Sequence, residues 1–123
     1  MSERFLVLFR ELRSDPDAVA AAKKAALVLQ FRFFAPASYV VLDMTKEPFD
    51  VGAEEHPQPE VEIGLTPEAA DRVLSGRLSA VEAVKTSVVR VRGGFMKFLA
   101  LQGFLEVVRA AYKTRYGAPT PEA

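Results

Sequence analysis

Between Phe95 and Tyr112, fourteen of eighteen residues are apolar or small, and only Lys97, Gln102, Glu106 and Arg109 are not. At the helical period Gln102, Glu106, Arg109 and the following Lys113 are spaced four, three and four residues apart. They make one narrow polar stripe and leave about two thirds of the helix circumference apolar. A surface helix needs an apolar arc of only about 100° to dock on one core. The remainder needs a second cover: the interior of its own domain, another protein surface, a membrane, or a small apolar ligand held between this helix and the body of the domain.

The chain has 123 residues, enough for one domain with a real core and too few for two stable ones. Sixteen basic residues balance sixteen acidic ones, which argues against a partner such as duplex nucleic acid, whose binding needs an uncompensated basic face. There is no cysteine, so disulfides, thiol nucleophiles and thiolate-bound metals are excluded. Neither a secretory signal pattern nor a run of about 18 uncharged apolar residues is present in the given sequence, and a cytoplasmic protein is expected.

Phe5, Leu8, Phe9 and Leu12 have helical spacing, and Asp15-Pro16 starts a second, alanine-rich helix over 16–25. At Leu27 the period changes to two. Leu27, Leu29, Phe31 and Phe33 point one way and Val28, Gln30, Arg32 and Phe34 the other, a strand that Ala35-Pro36 breaks before Tyr39–Met44 resumes as an antiparallel partner. A short strand at Phe49–Gly52 and another carrying Val61, Ile63 and Leu65 follow. Thr66-Pro67 starts a helix that Ser75-Gly76 stops, and Ser79 with Glu82 forms a capping box for a second short helix to Lys85. A strand over Ser87–Arg92 and a Gly93-Gly94 turn lead into the terminal helix. This order predicts a single α+β domain over residues 1–123: one five-stranded sheet covered by helices mainly on one face, with N-terminal helices in 1–26 and a flexible tail at 117–123.

Reactive chemistry is sparse. The one histidine, His56, sits in a proline-flanked turn and reads as a solvated loop residue, with no partner for a nucleophile or a metal. Asp43 and Glu62 lie on strands, where pairing is the ordinary role; Glu60 and Glu62 can meet Arg90 and Arg92 across the sheet. Gly93-Gly94 has neither the further glycines nor the lysine of a phosphate loop. No catalytic residue, metal or cofactor is expected. What remains is a surplus of apolar side chains, including nine phenylalanines and no tryptophan.

Residues 61–102 run through an alternating strand (Val61, Ile63, Leu65), a Thr66 helix start, Val73-Leu74 before Gly76, Ala83-Val84, a strand with Val89 and Val91, the Gly93 turn, and the apolar helix from Met96 to Leu101-Gln102. This stretch resembles the sterol carrier protein 2 family of lipid-binding domains, and the strand pair Leu27–Phe34 and Tyr39–Met44 fits its order more loosely. Two positions depart: Ser87 stands where the family commonly has glycine, and Lys97 interrupts the apolar helix. The resemblance implies an apolar tunnel between sheet and helices that carries a fatty acid, acyl-CoA, isoprenoid or sterol without chemical turnover. The two extra N-terminal helices reshape any such tunnel. The expected ligand-binding side chains are Phe31 and Phe33 on the strand, Leu74, Leu78 and Val84 on the short helices, and Phe95, Met96, Leu99, Phe104, Val107 and Val108 on the terminal helix. The alternative is an interaction or accessory module using the C-terminal helix as a homodimer or partner interface, and a transient membrane contact stays open under either reading.

Overall fold

Where the spacing changes at Leu27, the chain turns from helix to sheet. The computed structural model describes residues 2–34, 37–86 and 89–116, with the backbone alone for Ser2, Ala80, Val81 and Phe95. The break at Ala35-Pro36, the Ser87 start of the last strand and the tail at 117–123 lie outside the described residues. Helices α1 (Ser2–Leu12) and α2 (Pro16–Ala25) come first. The Asp15 carboxylate caps α2, accepting from the backbone N–H of Asp17 at 2.9 Å and of Ala18 at 3.3 Å. Strands β1 (Val28–Phe33), β2 (Ser38–Asp43), β3 (Asp50–Gly52) and β4 (Val61–Leu65) follow. Then come α3 (Pro67–Leu74), α4 (Ala80–Lys85), β5 (Arg90–Gly93), α5 (Phe95–Ala100) and α6 (Gln102–Tyr116).

The five strands form one mixed sheet in the order β3-β2-β1-β4-β5. Strand β1 is central, antiparallel to β2 and parallel to β4, so Phe31 stands between Val40 and Ile63 in register. The alternation places Leu29, Phe31, Phe33, Val40, Leu42 and Ile63 on the buried, helix-covered face. Four phenylalanines tie α1 to this face: Phe5 stacks on Phe33 at 5.2 Å between ring centroids and Phe9 on Phe31 at 5.3 Å. The run of rings continues through Phe104 at 6.5 Å from Phe9, with Phe49 edge-on to Phe104 at 5.4 Å.

Two sequence expectations are corrected. Phe95–Tyr112 is two helices and not one, because Leu101 is fully buried and the chain bends to bury it. Its N–H donates to the Phe98 carbonyl at 3.0 Å, a tighter turn than the helix on either side. From there α6 presents Phe104, Val108 and Tyr112, four residues apart, to the core. On the other face of β1, Gln30 is 1% exposed where the alternation places it toward water. The loop of residues 53–60 covers it: the His56 backbone N–H donates to Gln30 Oε1 at 2.7 Å, and Gln30 Nε2 donates to Glu62 Oε2 at 2.5 Å.

A polar joint closes the helical layer where α1, α3 and α6 meet. The Tyr112 hydroxyl donates to Asp71 Oδ1 and accepts from Arg4 Nη1 at 3.3 Å, while the Arg4 guanidinium lies 4.7 Å over the Tyr116 ring. Burial, then the Asp71 contact, pushes the Tyr112 phenol above its ordinary pKa. Tyr112→Phe keeps the stacking on Phe5 and loses the hydrogen bond, so it is expected to cost about 1 kcal/mol in urea unfolding at neutral pH. The folded state keeps the phenol protonated, so this contribution is complete below the unfolded pKa of about 10 and is lost as pH rises through the higher folded value. Stability of the parent is therefore expected to fall above about pH 10 more steeply than that of Tyr112→Phe; parallel slopes would refute the assignment.

Candidate functional site

Between the sheet and the helices lies an apolar cavity of about 60 Å³. Its floor is Phe31 and Phe33 of β1, Ile63 and Leu65 of β4, and Val91 of β5. One wall is Phe5 and Phe9 of α1. The opposite wall is Ala70, Val73 and Leu74 of α3 with Ala83 and Val84 of α4, and Phe98 of α5 and Leu105 of α6 close it. No lining residue carries a polar side chain, so the space is suited to hydrocarbon and offers nothing to hold water in place.

Local chemistry sets that wall. Thr66 Oγ1 accepts from the Ala69 N–H at 3.1 Å and launches α3 from the end of β4 across the sheet. Ser79 Oγ accepts from the Glu82 N–H at 3.0 Å and starts α4. The exit from β5 depends on Gly93, at φ +121°, where a Cβ would stand 2.4 Å from the Glu60 carbonyl oxygen. Only glycine fits, and this sends α5 back over the cavity.

Of the side chains expected to bind ligand, Phe31, Phe33, Leu74 and Val84 line this cavity. Leu78 packs half-buried against the core without lining it. Phe104 and Val108 are fully buried in the core, beyond the cavity. Val107 faces a shallow groove with Leu8 and Leu12, between α6 and α1. Met96 and Leu99 point into solvent, and the side chain of Phe95 lies outside the described residues. Sequence reasoning missed Phe5 and Phe9, which it gave to a helix of unknown position, and Ile63, Val91 and Phe98. The alternation of 61–65 and of β5 marked an apolar side for Ile63 and Val91, and the pairing of β1 with β4 is what puts that side in the cavity.

The carboxylates on strands have structural partners. Glu62 accepts from Gln30 and has Arg32 Nη1 and Arg92 Nη1 each 3.8 Å from Oε1, on the sheet face away from the apolar cavity. Glu60 pairs with Lys97 at 3.5 Å and not with Arg90, which stands opposite Gly64. Asp43 accepts from the Thr45 hydroxyl and, at 3.0 Å, its backbone N–H, which holds its carboxyl below the usual range. His56 Nδ1 accepts from the Gln58 N–H at 3.0 Å and closes its own turn. Among the described residues, no three carboxylate or imidazole side chains gather as a metal would require, and no helix is long and apolar enough to cross a membrane.

The SCP-2 sterol transfer family model matches residues 7–106. No curated protein matches the chain by direct sequence comparison. Among solved structures, the apo form of sterol carrier protein 2 from Yarrowia lipolytica is similar at TM-score 0.70 and 21% identity, over 85% of this chain and 89% of that one. Sterol carrier protein domain 2 of Helicoverpa armigera gives TM-score 0.72 at 15% identity, over 87% of each chain. The inverting sec-alkylsulfatase Pisa1 from Pseudomonas sp. gives TM-score 0.59 at 19% identity, over 72% of this chain and 14% of that much longer one.

An unfilled cavity of 60 Å³ forfeits about 1.4 kcal/mol at ~24 cal/mol per Å³. Ala70 lies on the α3 wall at 4% exposure or less and has room in front of it. Ala70→Leu is expected to raise the stability of the ligand-free protein by about 1 kcal/mol, read as a higher urea midpoint at unchanged m-value. A lower midpoint would mean that the space is not available to a side chain.

Proposed function

The chain belongs to the SCP-2 sterol transfer family, and from that premise we propose that it is a non-catalytic carrier of an apolar lipid, a fatty acid, acyl-CoA, isoprenoid or sterol. The observation that carries the reading is the cavity between sheet and helices, whose lining is apolar on every side. A ligand held there gains about 0.8 kcal/mol for each methylene removed from water, so a long acyl chain supplies on the order of 10 kcal/mol before ordering costs. Selectivity is then loose, because a hydrocarbon-lined site distinguishes chains mainly by length and bulk.

Ligand pockets commonly enclose about 300–1,000 Å³, several times the cavity of the ligand-free fold. Uptake therefore requires one wall to move outward and open the tunnel. The α1 side is fixed by its stacked phenylalanines. On the other side, among the described side chains, α4 buries Ala83 while Val84 is 40% exposed, and α5 contributes half-buried Phe98. Among the described side chains these two short helices bury little apolar surface, so they form the moving wall. The binding set is then Phe31, Phe33, Leu74 and Val84, with Phe5, Phe9 and Phe98.

Native mass spectrometry of the freshly purified protein, followed by organic extraction of the same sample, is expected to show one bound lipid mass. Stripped protein is expected to take up a fluorescent fatty acid. Val84→Asp puts a carboxylate on the moving wall at a position open enough to tolerate it, and is expected to reduce uptake at least ~10-fold with unchanged circular dichroism. A clean ligand-free mass together with no uptake, or full uptake by Val84→Asp, would refute the carrier reading or its site.

A further inference from the structure

On the sheet face opposite the apolar cavity, a cleft of about 440 Å³ opens between the strands and the loop of residues 53–60. Gln30 and Arg32 of β1, Glu62 of β4 and Arg92 of β5 supply its sheet side, and Glu55 and His56 its loop side. The floor is set by a closed chain of contacts. Buried Gln30 accepts from the His56 backbone N–H at 2.7 Å and donates to Glu62 Oε2 at 2.5 Å. One oxygen of the Glu62 carboxylate is thereby occupied, and the other, Oε1, is left to the arginines.

Arg32 Nη1 and Arg92 Nη1 both stand 3.8 Å from that single oxygen. This is charge proximity without a hydrogen bond, which needs about 3 Å. Neither guanidinium donates to Glu62, so both keep their donors for another acceptor. The Glu62 side chain is 12% exposed between arginines that are 38% and 79% exposed, a sunken carboxylate flanked by two accessible cations. The Arg32 guanidinium is also held 5.7 Å over the ring of Tyr39, its register neighbour on β2.

The charged lining is two arginines against two glutamates, so the cleft is balanced in formal charge. A bare oxyanion such as phosphate would meet the arginines but also be repelled by Glu62 Oε1, and a simple cation would meet the reverse. A molecule with both signs close together satisfies both. We propose that this cleft binds a small zwitterion of the α-amino-acid type. Its carboxylate accepts from Arg32 and Arg92 while its ammonium donates to Glu62 Oε1, so that positive and negative groups alternate around the site. An α-amino acid carries both charged groups on one carbon atom, which suits protein groups only 3.8 Å apart. The remaining volume of the cleft accommodates its side chain.

The test is an NMR titration of the full chain with four probes: L-alanine, the anion N-acetyl-L-alanine, the cation L-alaninamide, and inorganic phosphate. L-Alanine is expected to shift the backbone amides of His56, Gln58 and Gly93 saturably with a millimolar Kd, and each of the other three to bind at least ~10-fold more weakly. Arg92→Gln, at an exposed position, is expected to weaken L-alanine at least ~5-fold with unchanged circular dichroism. Glu62→Gln is expected to remove most of the preference for L-alanine over N-acetyl-L-alanine. The proposal is overturned if L-alanine gives no saturable shift up to about 100 mM, or if Arg92→Gln binds it like the parent. It is overturned equally if phosphate or N-acetyl-L-alanine binds as tightly, which would make the cleft a plain anion site. The cleft and the apolar cavity lie on opposite faces of the sheet, so a chain that binds L-alanine but takes up no fatty acid sinks the carrier reading alone.

Discussion

Phe5 and Phe9 of α1 lie one turn apart and stack on Phe33 and Phe31, two residues apart on the central strand. The match between a helical repeat and a strand repeat fixes how the helical layer sits on the sheet. Because β1 pairs with both β2 and β4, whatever holds β1 to α1 also orients the rest of the sheet. The same rings reach Tyr112 and Phe104 of α6, so both ends of the helical layer are referred to one row of aromatic contacts. These rings are core on one edge and cavity wall on the other. Stability and cavity share them, so one side of the cavity is tied into the core while the other includes two short helices.

Elements whose boundaries are written in local chemistry were legible in the sequence. Asp15-Pro16, Thr66-Pro67 and Ser79 each cap the helix their spacing announces, and the two-residue alternation of 27–34 and 61–65 marks the side of the sheet that the helices cover. Family membership was legible as well, from the order and spacing of elements over 61–102. What failed depends on partners distant in the chain. The bend at Leu101 has no proline to announce it; it follows from what α5 and α6 pack against. Likewise α2 ends at Ala26 with φ +50°, a position where the sequence offers no glycine. The apolar count of 95–112 was right, but its division between buried α6 and exposed α5 was invisible, and so Met96 and Leu99 were assigned to an interior they do not enter. The burial of Gln30 belongs to the same class, since only the return of residues 53–60 over the sheet creates it.

The two faces of the sheet divide the work. On the helix face polar side chains are excluded from the cavity, which makes it an environment for hydrocarbon alone. On the opposite face Gln30, Arg32, Glu62 and Arg92 form a compact polar group around one carboxylate, each contact satisfying a neighbour and tying the loop of residues 53–60 to the central strands. A sheet so anchored on its polar side can stay in place while a helix moves on the other.

The empty space in front of Ala70 is also a matter of molar volume. Unfolding lets water occupy what the folded chain leaves vacant, so the unfolded protein is the smaller species in solution. Compression therefore works against the vacant form and hardly against a filled one. A fold built around such a void is softer with the void empty than with it filled, so its compressibility, and not its shape alone, records whether the space is occupied.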